Sequence, residues 1–269
     1  MRMENTEKNR IKKQFFDLKQ IRDTYSQTHK DLSSALRFKN VINSSVIEND
    51  IIDSTFIQVA LYKGNTKIGE HFSPIYRKLA LEAIGLDQLL RYLEKTAPKR
   101  TDLSVSLILK LHRLLFEKSW PDIAGRFRDI DVRIRGLKHR PAHPARIPEQ
   151  IYQHLIWVDG LMKLLGPVTE SNFFEIFHVA ADVHFRVIET YPFRSGNWRI
   201  ARALCDYVLL NSGMFYNVID FNNRDAYQEA ISQSSVSNIA PLEDFLLKSY
   251  SETLDSVKDY LYLIKKEFD

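Results

Sequence analysis

Residues 191–202 read YPFRSGNWRIAR, a stretch in which one helix stops, the chain turns and another helix begins. Pro192 ends the preceding helix, Ser195 is a candidate N-cap, and Gly196 allows a tight approach into a helix starting near Asn197. Unsatisfied N–H groups at such a helix start attract anions. Arg199 and Arg202, three residues apart on one face, would strengthen the pull on a phosphate. Trp198, however, stands where a phosphate loop would carry glycine. A plain structural junction explains the same residues: Ser195 as a cap, Phe193 and Trp198 in the core, and the arginines paired with surface carboxylates. One loop-plus-arginine pattern does not separate these readings.

The rest of the chain limits the choices. At 269 residues and 44% hydrophobic it has ample material for a core, as one large or two modest domains. Nine glycines and nine prolines leave little for the many tight turns of a sandwich or barrel, so composition favours helices. Cys205 is the single cysteine, which excludes an intrachain disulfide and a Cys-based structural zinc site. The N-terminal MRMENTEKNRIKKQFF has no apolar signal-like run, and no later segment has the unbroken apolar length of a membrane span. A cytoplasmic protein with no membrane partner is expected. A net charge of +4 is too mild to imply nucleic acid.

Helical spacing of Ile11, Phe15, Leu18, Ile21 and Tyr25 predicts one long amphipathic helix from Asn9 to Arg37. Ser44 or Ser45 is placed to cap a short helix, and Asp53 or Ser54 another. Wide apolar faces in PIYRKLALEAIGLDQLLRYLEK and LSVSLILKLHRLLFE predict core helices. Ile130, Val132 and Ile134 alternate with charged neighbours, which predicts a small hairpin. Helical patterns then resume to the C-terminus. The expected class is all-α with one small β-hairpin flap.

YPFRSGNWRIAR resembles the Fic (Fido) family signature HPFx(D/E)GNGRxxR at Pro192, Phe193, Gly196, Asn197, Arg199 and Arg202. VHFRVIETYPF resembles the helix leading into that signature, and AGRFRDIDVRIRG the family's flap. SSVIEN, from Ser44 to Asn49, is similar to the inhibitory motif (S/T)xxxE(G/N). The resemblance implies a Fic-type fold with an N-terminal helical region at 1–100, a core at 101–240 with flap 124–140 and signature loop 191–202, and a C-terminal helix at 241–269.

It also implies transfer of AMP from ATP, with Mg²⁺, to a hydroxyl of a target protein. In the family the signature His is the general base, the acidic residue holds Mg²⁺, the glycines and Asn form an anion hole, and the arginines bind phosphate. Carried over, Gly196, Asn197, Trp198, Arg199 and Arg202 are the nucleotide-binding positions. Three positions depart from the pattern. Tyr191 replaces the base, and with a reference pKa of about 10 only about one phenol in a thousand is ionised at pH 7. Ser195 replaces the carboxylate that would hold the metal, so ATP with Mg²⁺ is in doubt and no metal ligand is assigned. Trp198 replaces glycine in the anion hole, where its indole either fills the phosphate space or turns away.

By the same resemblance Glu48 reaches Arg202 as a bidentate ion pair across the nucleotide site, with Ser44 and Asn49 completing the inhibitory motif. Val132, Arg133 and Ile134 on the flap are expected to dock an extended target segment by strand addition. Arg133, Arg135, Lys138, Arg140 and Arg146 make this region basic, which suits a solvated flap or an acidic partner; without interleaved aromatics, nucleic acid ranks low. His139 and His143 flank Pro141 with no third ligand and are rejected as a metal site. His184, seven residues before Tyr191, is the first substitute base to test. Three functions compete: a pseudoenzyme or strongly impaired adenylyltransferase, an active transferase with a changed base or phosphate donor, and a helical scaffold forming a homodimer or binding partners through its terminal helices.

Overall fold

A computed structural model describes residues 3–24, 26–64, 72–134 and 140–268. Ten α-helices run through them: α1 (Asn5–Thr24), α2 (Ser26–Glu48), α3 (Ser54–Lys63), α4 (Pro74–Thr96), α5 (Val105–Phe116), α6 (Ile147–Leu165), α7 (Phe173–Thr190), α8 (Asn197–Asn211), α9 (Arg224–Gln233) and α10 (Ala240–Phe268). The fold is all-α, and none of the described helices is long and apolar enough to cross a membrane.

α7 and α8 lie at the centre and make the most extensive helix–helix contact. Buried residues such as Ile176, Val179, Ala180, Ala181, Val183 and Phe185 point around most of α7, the pattern of a helix within a core. α6 and α10 pack on α7, α4 and α5 reach α8, and α1 lies along α10. One continuous cluster joins Ile11, Phe15 and Leu18 of α1 to Leu242, Leu254 and Leu261 of α10. The residues between α7 and α8 are therefore held by a rigid centre.

The N-terminal stretch differs from the single long helix expected: α1 ends at Thr24 and α2 starts at Ser26, with residue 25 outside the described set. Nor does Ser44 or Ser45 start a new helix. Both are buried inside α2, where Leu32, Leu36 and Ile47 continue its apolar side. Ser44 directs its hydroxyl to Arg202, at 2.9 Å, instead of to a helix N-terminus. Asp53 does cap α3, its Oδ1 accepting from the Phe56 N–H at 2.8 Å.

The expected hairpin is absent from the described residues. Residues 131–134 form no ladder, although Val132 and Ile134 are half-buried while Asp131 and Arg133 are exposed, and residues 135–139 lie outside the described set. Side-chain hydrogen bonds take the place of a paired strand here, since Arg128 Nη1 donates to the Ile130 carbonyl at 2.7 Å.

α4 and α5 cross at Gly85, where an added Cβ would lie 2.3 Å from the Leu115 carbonyl oxygen and 2.8 Å from that of Leu114. These are backbone atoms of a packed helix and cannot rotate aside. Gly85→Ala should therefore destabilise the chain by about 3 kcal/mol, the upper end for overpacking, lowering Tm by about 6–12 °C. An unchanged melting midpoint would contradict the close crossing.

Candidate functional site

α7 ends at Tyr191, which takes a left-handed conformation (φ 49°) and donates its N–H to Val187 O. Phe193 then turns into the core and stacks on His112 with ring centroids 3.9 Å apart. Asn197 closes the loop on itself: its Oδ1 accepts from the Phe193 N–H and its Nδ2 donates to the Phe193 carbonyl, both at 2.8 Å. Gly196, not Ser195, is the N-cap of α8. Its φ of 78° is a left-handed value, and a Cβ there would lie 2.5 Å from the Phe116 ring. The Ser195 hydroxyl makes no capping bond; the residue is anchored by its carbonyl, which accepts from His112 Nε2 at 3.1 Å.

That histidine is fixed in one tautomer, because its Nδ1 accepts from the Gly125 N–H at 3.0 Å. Burial lowers its pKa to about 4, keeping the ring neutral. Arg128, also buried, holds the other side of the loop. Its Nε donates to Tyr191 O at 2.7 Å, Nη2 reaches the Thr190 and Ala142 carbonyls, and its own N–H donates to Pro192 O at 2.9 Å. A guanidinium at the C-terminus of α7 suits the negative end of the helix dipole.

Both arginines of the loop helix are buried and both meet carboxylates. Arg202 Nη2 lies 2.7 Å from Glu48 Oε1, and Arg202 also donates to the Ser44 hydroxyl at 2.9 Å and the Ser44 carbonyl at 3.2 Å. Glu48 is not the bidentate clamp expected for Arg202 alone. Its second oxygen turns to Arg199 Nε at 3.9 Å, so one carboxylate spans the two arginines. Arg199 Nη1 in turn meets Glu82 Oε2 of α4 at 2.6 Å. Arg199 Nε and Arg202 Nη1 are left buried with no hydrogen-bond partner. Arg199 Nε nevertheless faces the Glu48 carboxylate and Arg202 the Tyr227 side chain, so an anion reaches these donors only by displacing those neighbours.

Asn49 follows the end of α2, half-buried. The segment carrying Glu48 is latched further along its length: Asn40 donates to Asp206 at 2.8 Å, Asn43 accepts from the Phe221 N–H at 2.9 Å, and Asp50 pairs with Arg224.

Trp198 is half-buried, its indole edge-on to Tyr227 with centroids 5.5 Å apart, and the Arg202 guanidinium lies 5.8 Å from the centroid of the same tyrosine ring. Burial, then the charge of Glu48, raises the Tyr191 pKa, while Asn197 and Trp198 act in the opposite sense. The phenol stays protonated at neutral pH. His184 is fully buried and 2.5 Å from the Tyr227 hydroxyl, with its pKa lowered to about 3 by burial and by Arg202. It faces the core and offers no base to the loop. On the flap, Asp129 pairs with Arg194 of the loop at 2.5 Å, and Arg133 is exposed between half-buried Val132 and Ile134. His139, Arg135 and Lys138 lie outside the described residues, and His143 caps a short 3₁₀ turn through the Ala145 N–H.

Residues 102–209, which include α5 to most of α8 and the whole loop, match the sequence profile of the Fic/DOC family. The chain carries a Fic/DOC family domain. It is 27% identical over 65% of its length to a protein adenylyltransferase Fic of Nematostella vectensis, of which it covers 39%. It thus spans under half the length of that relative. Among solved structures, a Fic domain containing signaling protein from Bacteroides thetaiotaomicron superposes with a TM-score of 0.75, at 20% identity, over 94% of this chain and 96% of the other. A fragment of Fic-1 from C. elegans gives a TM-score of 0.70 at 22% identity, covering 96% of this chain and 73% of that one. These likenesses establish the Fic fold beyond the profile match, to nearly the whole chain.

Glu82, His112 and Arg128 were missed as contributors to the Fic loop. Glu82 and His112 had one available signal: each is a polar residue on an otherwise apolar helix face, beside Leu79, Ala83 and Leu86 in α4 and beside Ile108, Leu111 and Leu115 in α5. A polar group in such a stripe needs a partner across the core.

Proposed function

We propose that this Fic-domain protein binds phosphate-bearing nucleotides weakly in a site held shut by Glu48, and that its transfer of AMP from ATP to a protein hydroxyl is absent or strongly impaired. The observation that carries this reading is Glu48 between Arg199 and Arg202, beside a phenol kept protonated at Tyr191. A phosphate entering the loop has to displace that carboxylate, and Arg199 remains engaged by Glu82 even then. A positioned general base contributes about 10²–10⁴ in rate, and Tyr191 supplies none at neutral pH.

Mg²⁺ travels with ATP, and the donors at the loop fit it poorly. Ser195 offers a neutral hydroxyl, while the nearby carboxylates Glu48 and Glu82 are engaged by arginines. Among the described residues no group of three or more His, Cys, Asp and Glu is arranged to hold a metal. The chain's own groups bind and orient: Arg199 Nε and Arg202 Nη1 present N–H donors, Asn197 fixes the loop, and Arg128 fixes the backbone that carries Tyr191.

Incubation of the wild-type chain with labelled ATP and Mg²⁺ tests this reading. Labelling of itself or of candidate proteins should stay at background; robust transfer by the wild-type chain would overturn it.

A second reading, an active transferase using another phosphate donor, is favoured by Arg199 Nε and Arg202 Nη1, which make no close hydrogen bond while Glu48 is in place. The two readings share a nucleotide-binding prediction. ATP should raise the Tm of Glu48→Gln and, more strongly, of Glu48→Gln/Glu82→Gln, by the equivalent of about 2.7 kcal/mol at a hundredfold excess over Kd, while barely moving wild type. Absence of a shift in both variants, with nucleotides and pyrophosphate alike, would remove the nucleotide site from either reading.

A further inference from the structure

The outer face of α6 carries large apolar side chains left exposed. Tyr152, Ile156 and Leu164 are 51%, 50% and 81% exposed, and with Gly160 they form one row at four-residue spacing. Trp157, 47% exposed, flanks the row. The residues that α6 turns to the core, among them Ile151, Leu155, Val158 and Met162, lie on the opposite side of the helix. The exposed residues are therefore surplus to the fold of a single chain.

The row is self-complementary about Ile156. Gly160 is a notch: a Cβ built there meets no atom within 4 Å, so another side chain can rest directly on the backbone. Two copies of α6 laid antiparallel, with Ile156 on Ile156, bring each Tyr152 onto the notch of the other copy and each Leu164 onto exposed Pro148. Glu149 and Lys163, each seven positions from Ile156, then face one another at both ends. Lys163 is already engaged by Asp102 and Asp159, both at 2.7 Å, so this pairing adds register and little affinity. Shape and apolar area carry the contact. A parallel arrangement sets Glu149 on Glu149 and leaves the notch unfilled.

The area is of the right order for a second copy. Half-exposed aromatic rings present about 100 Å² each. With Ile156 and Leu164 the patch reaches the about 300–600 Å² of the largest, often functional, patch on a monomer. Exposed polar neighbours on the same face, such as Gln153 and Lys163, extend it towards the about 800 Å² per partner of a specific interface.

We infer that the chain forms a twofold dimer through α6 rather than its terminal helices, antiparallel about Ile156, with each Tyr152 ring seated over Gly160 of the partner subunit. This contact is independent of the function proposed above.

Sedimentation equilibrium of the full chain over about 1–100 μM tests it. The mass should rise towards twice 31.5 kDa. Ile156→Glu places two carboxylates at the twofold axis and should weaken association by about a hundredfold or more. Gly160→Gln fills the notch and should weaken it by about tenfold or more. Its Tm, measured where the wild-type chain is monomeric, should be no lower than wild type, because glutamine is the better helix former. Tyr62→Glu, at a position 93% exposed on α3, should leave association unchanged. Under mild oxidation Ile156→Cys should give a covalent dimer faster than Tyr62→Cys, with no background from Cys205, which is buried. The inference is overturned if the wild-type chain stays monomeric at the highest concentration, if Ile156→Glu or Gly160→Gln associates as wild type does, or if Ile156→Cys cross-links no faster than Tyr62→Cys. A dimer lost in Tyr62→Glu and kept in Ile156→Glu overturns it as well, by moving the contact to α3.

Discussion

Tyr191→His, Ser195→Asp and Trp198→Gly introduced together, in a chain that also carries Glu48→Gly, should raise AMP incorporation from labelled ATP by about 10²–10⁴ over wild type. Each change answers a feature of the loop. Histidine at 191 titrates near neutrality where the phenol does not, and Arg128 holds the Tyr191 carbonyl at 2.7 Å without calling on its side chain. Aspartate at 195 supplies the missing anionic oxygen donor, while the bond from His112 to the 195 carbonyl is unaffected. Glycine at 198 removes an indole packed against Tyr227, and loss of Glu48 frees Arg202. Because these groups act as a unit, single substitutions should each restore little. The four-fold variant loses packing at Trp198 and a buried ion pair, so its fold must be verified by thermal melting. If it stays folded, binds ATP and remains inert, the loop departures do not account for the proposed loss of AMP transfer.

Acid should destabilise the native state well before ordinary carboxylates titrate. Burial lowers the pKa of His112 to about 4 and those of His154 and His184 to about 3, against 6.5 for an exposed histidine. Between pH 6.5 and about 4 the unfolded chain takes up as many as three protons that these rings refuse, so stability falls as pH falls. Asp206 works against them: burial raises its pKa to about 7, so the folded state takes a proton there while the unfolded chain does not until near 3.8. Asp182, also raised by burial, offsets more. A net one to two protons gives a slope of about 1.4–2.8 kcal/mol per pH unit. Urea midpoints measured at pH 7, 6, 5 and 4 should fall steadily below pH 6, and His154→Asn, which also removes the ring 3.5 Å from Asp182, should make the slope shallower. A flat profile would mean that the buried rings titrate normally.

The helical class and the Fic junction were legible in the sequence because periodicity and the Pro192–Gly196–Arg199–Arg202 spacing are local signals. Glu48 was named from a six-residue motif, and the structure places it at Arg202, though shared with Arg199. What sequence missed depended on approach between distant segments. Arg199 finds Glu82 across a separation of 117 residues, and His112 joins Ser195 across 83. The flap alternation holds in exposure at Val132 and Ile134 but not at Ile130, which is exposed, and it was misleading as a strand signal, because pairing requires a neighbour that periodicity cannot supply. Likewise Ser195 has the chemistry of a cap, yet the αL turn at Gly196 moves the helix start past it.

Arg128 has a mechanical consequence. A single guanidinium carries the carbonyls of Ile130 and Ala142 on the flap side and of Thr190 and Tyr191 on the loop side. It is a rigid plane, so its bonds cannot lengthen independently. Displacing either flap anchor strains the hold on the last turn of α7. A partner that tugs on the flap therefore pulls on the backbone of residue 191 through one side chain, a lever arm with its fulcrum at Arg128.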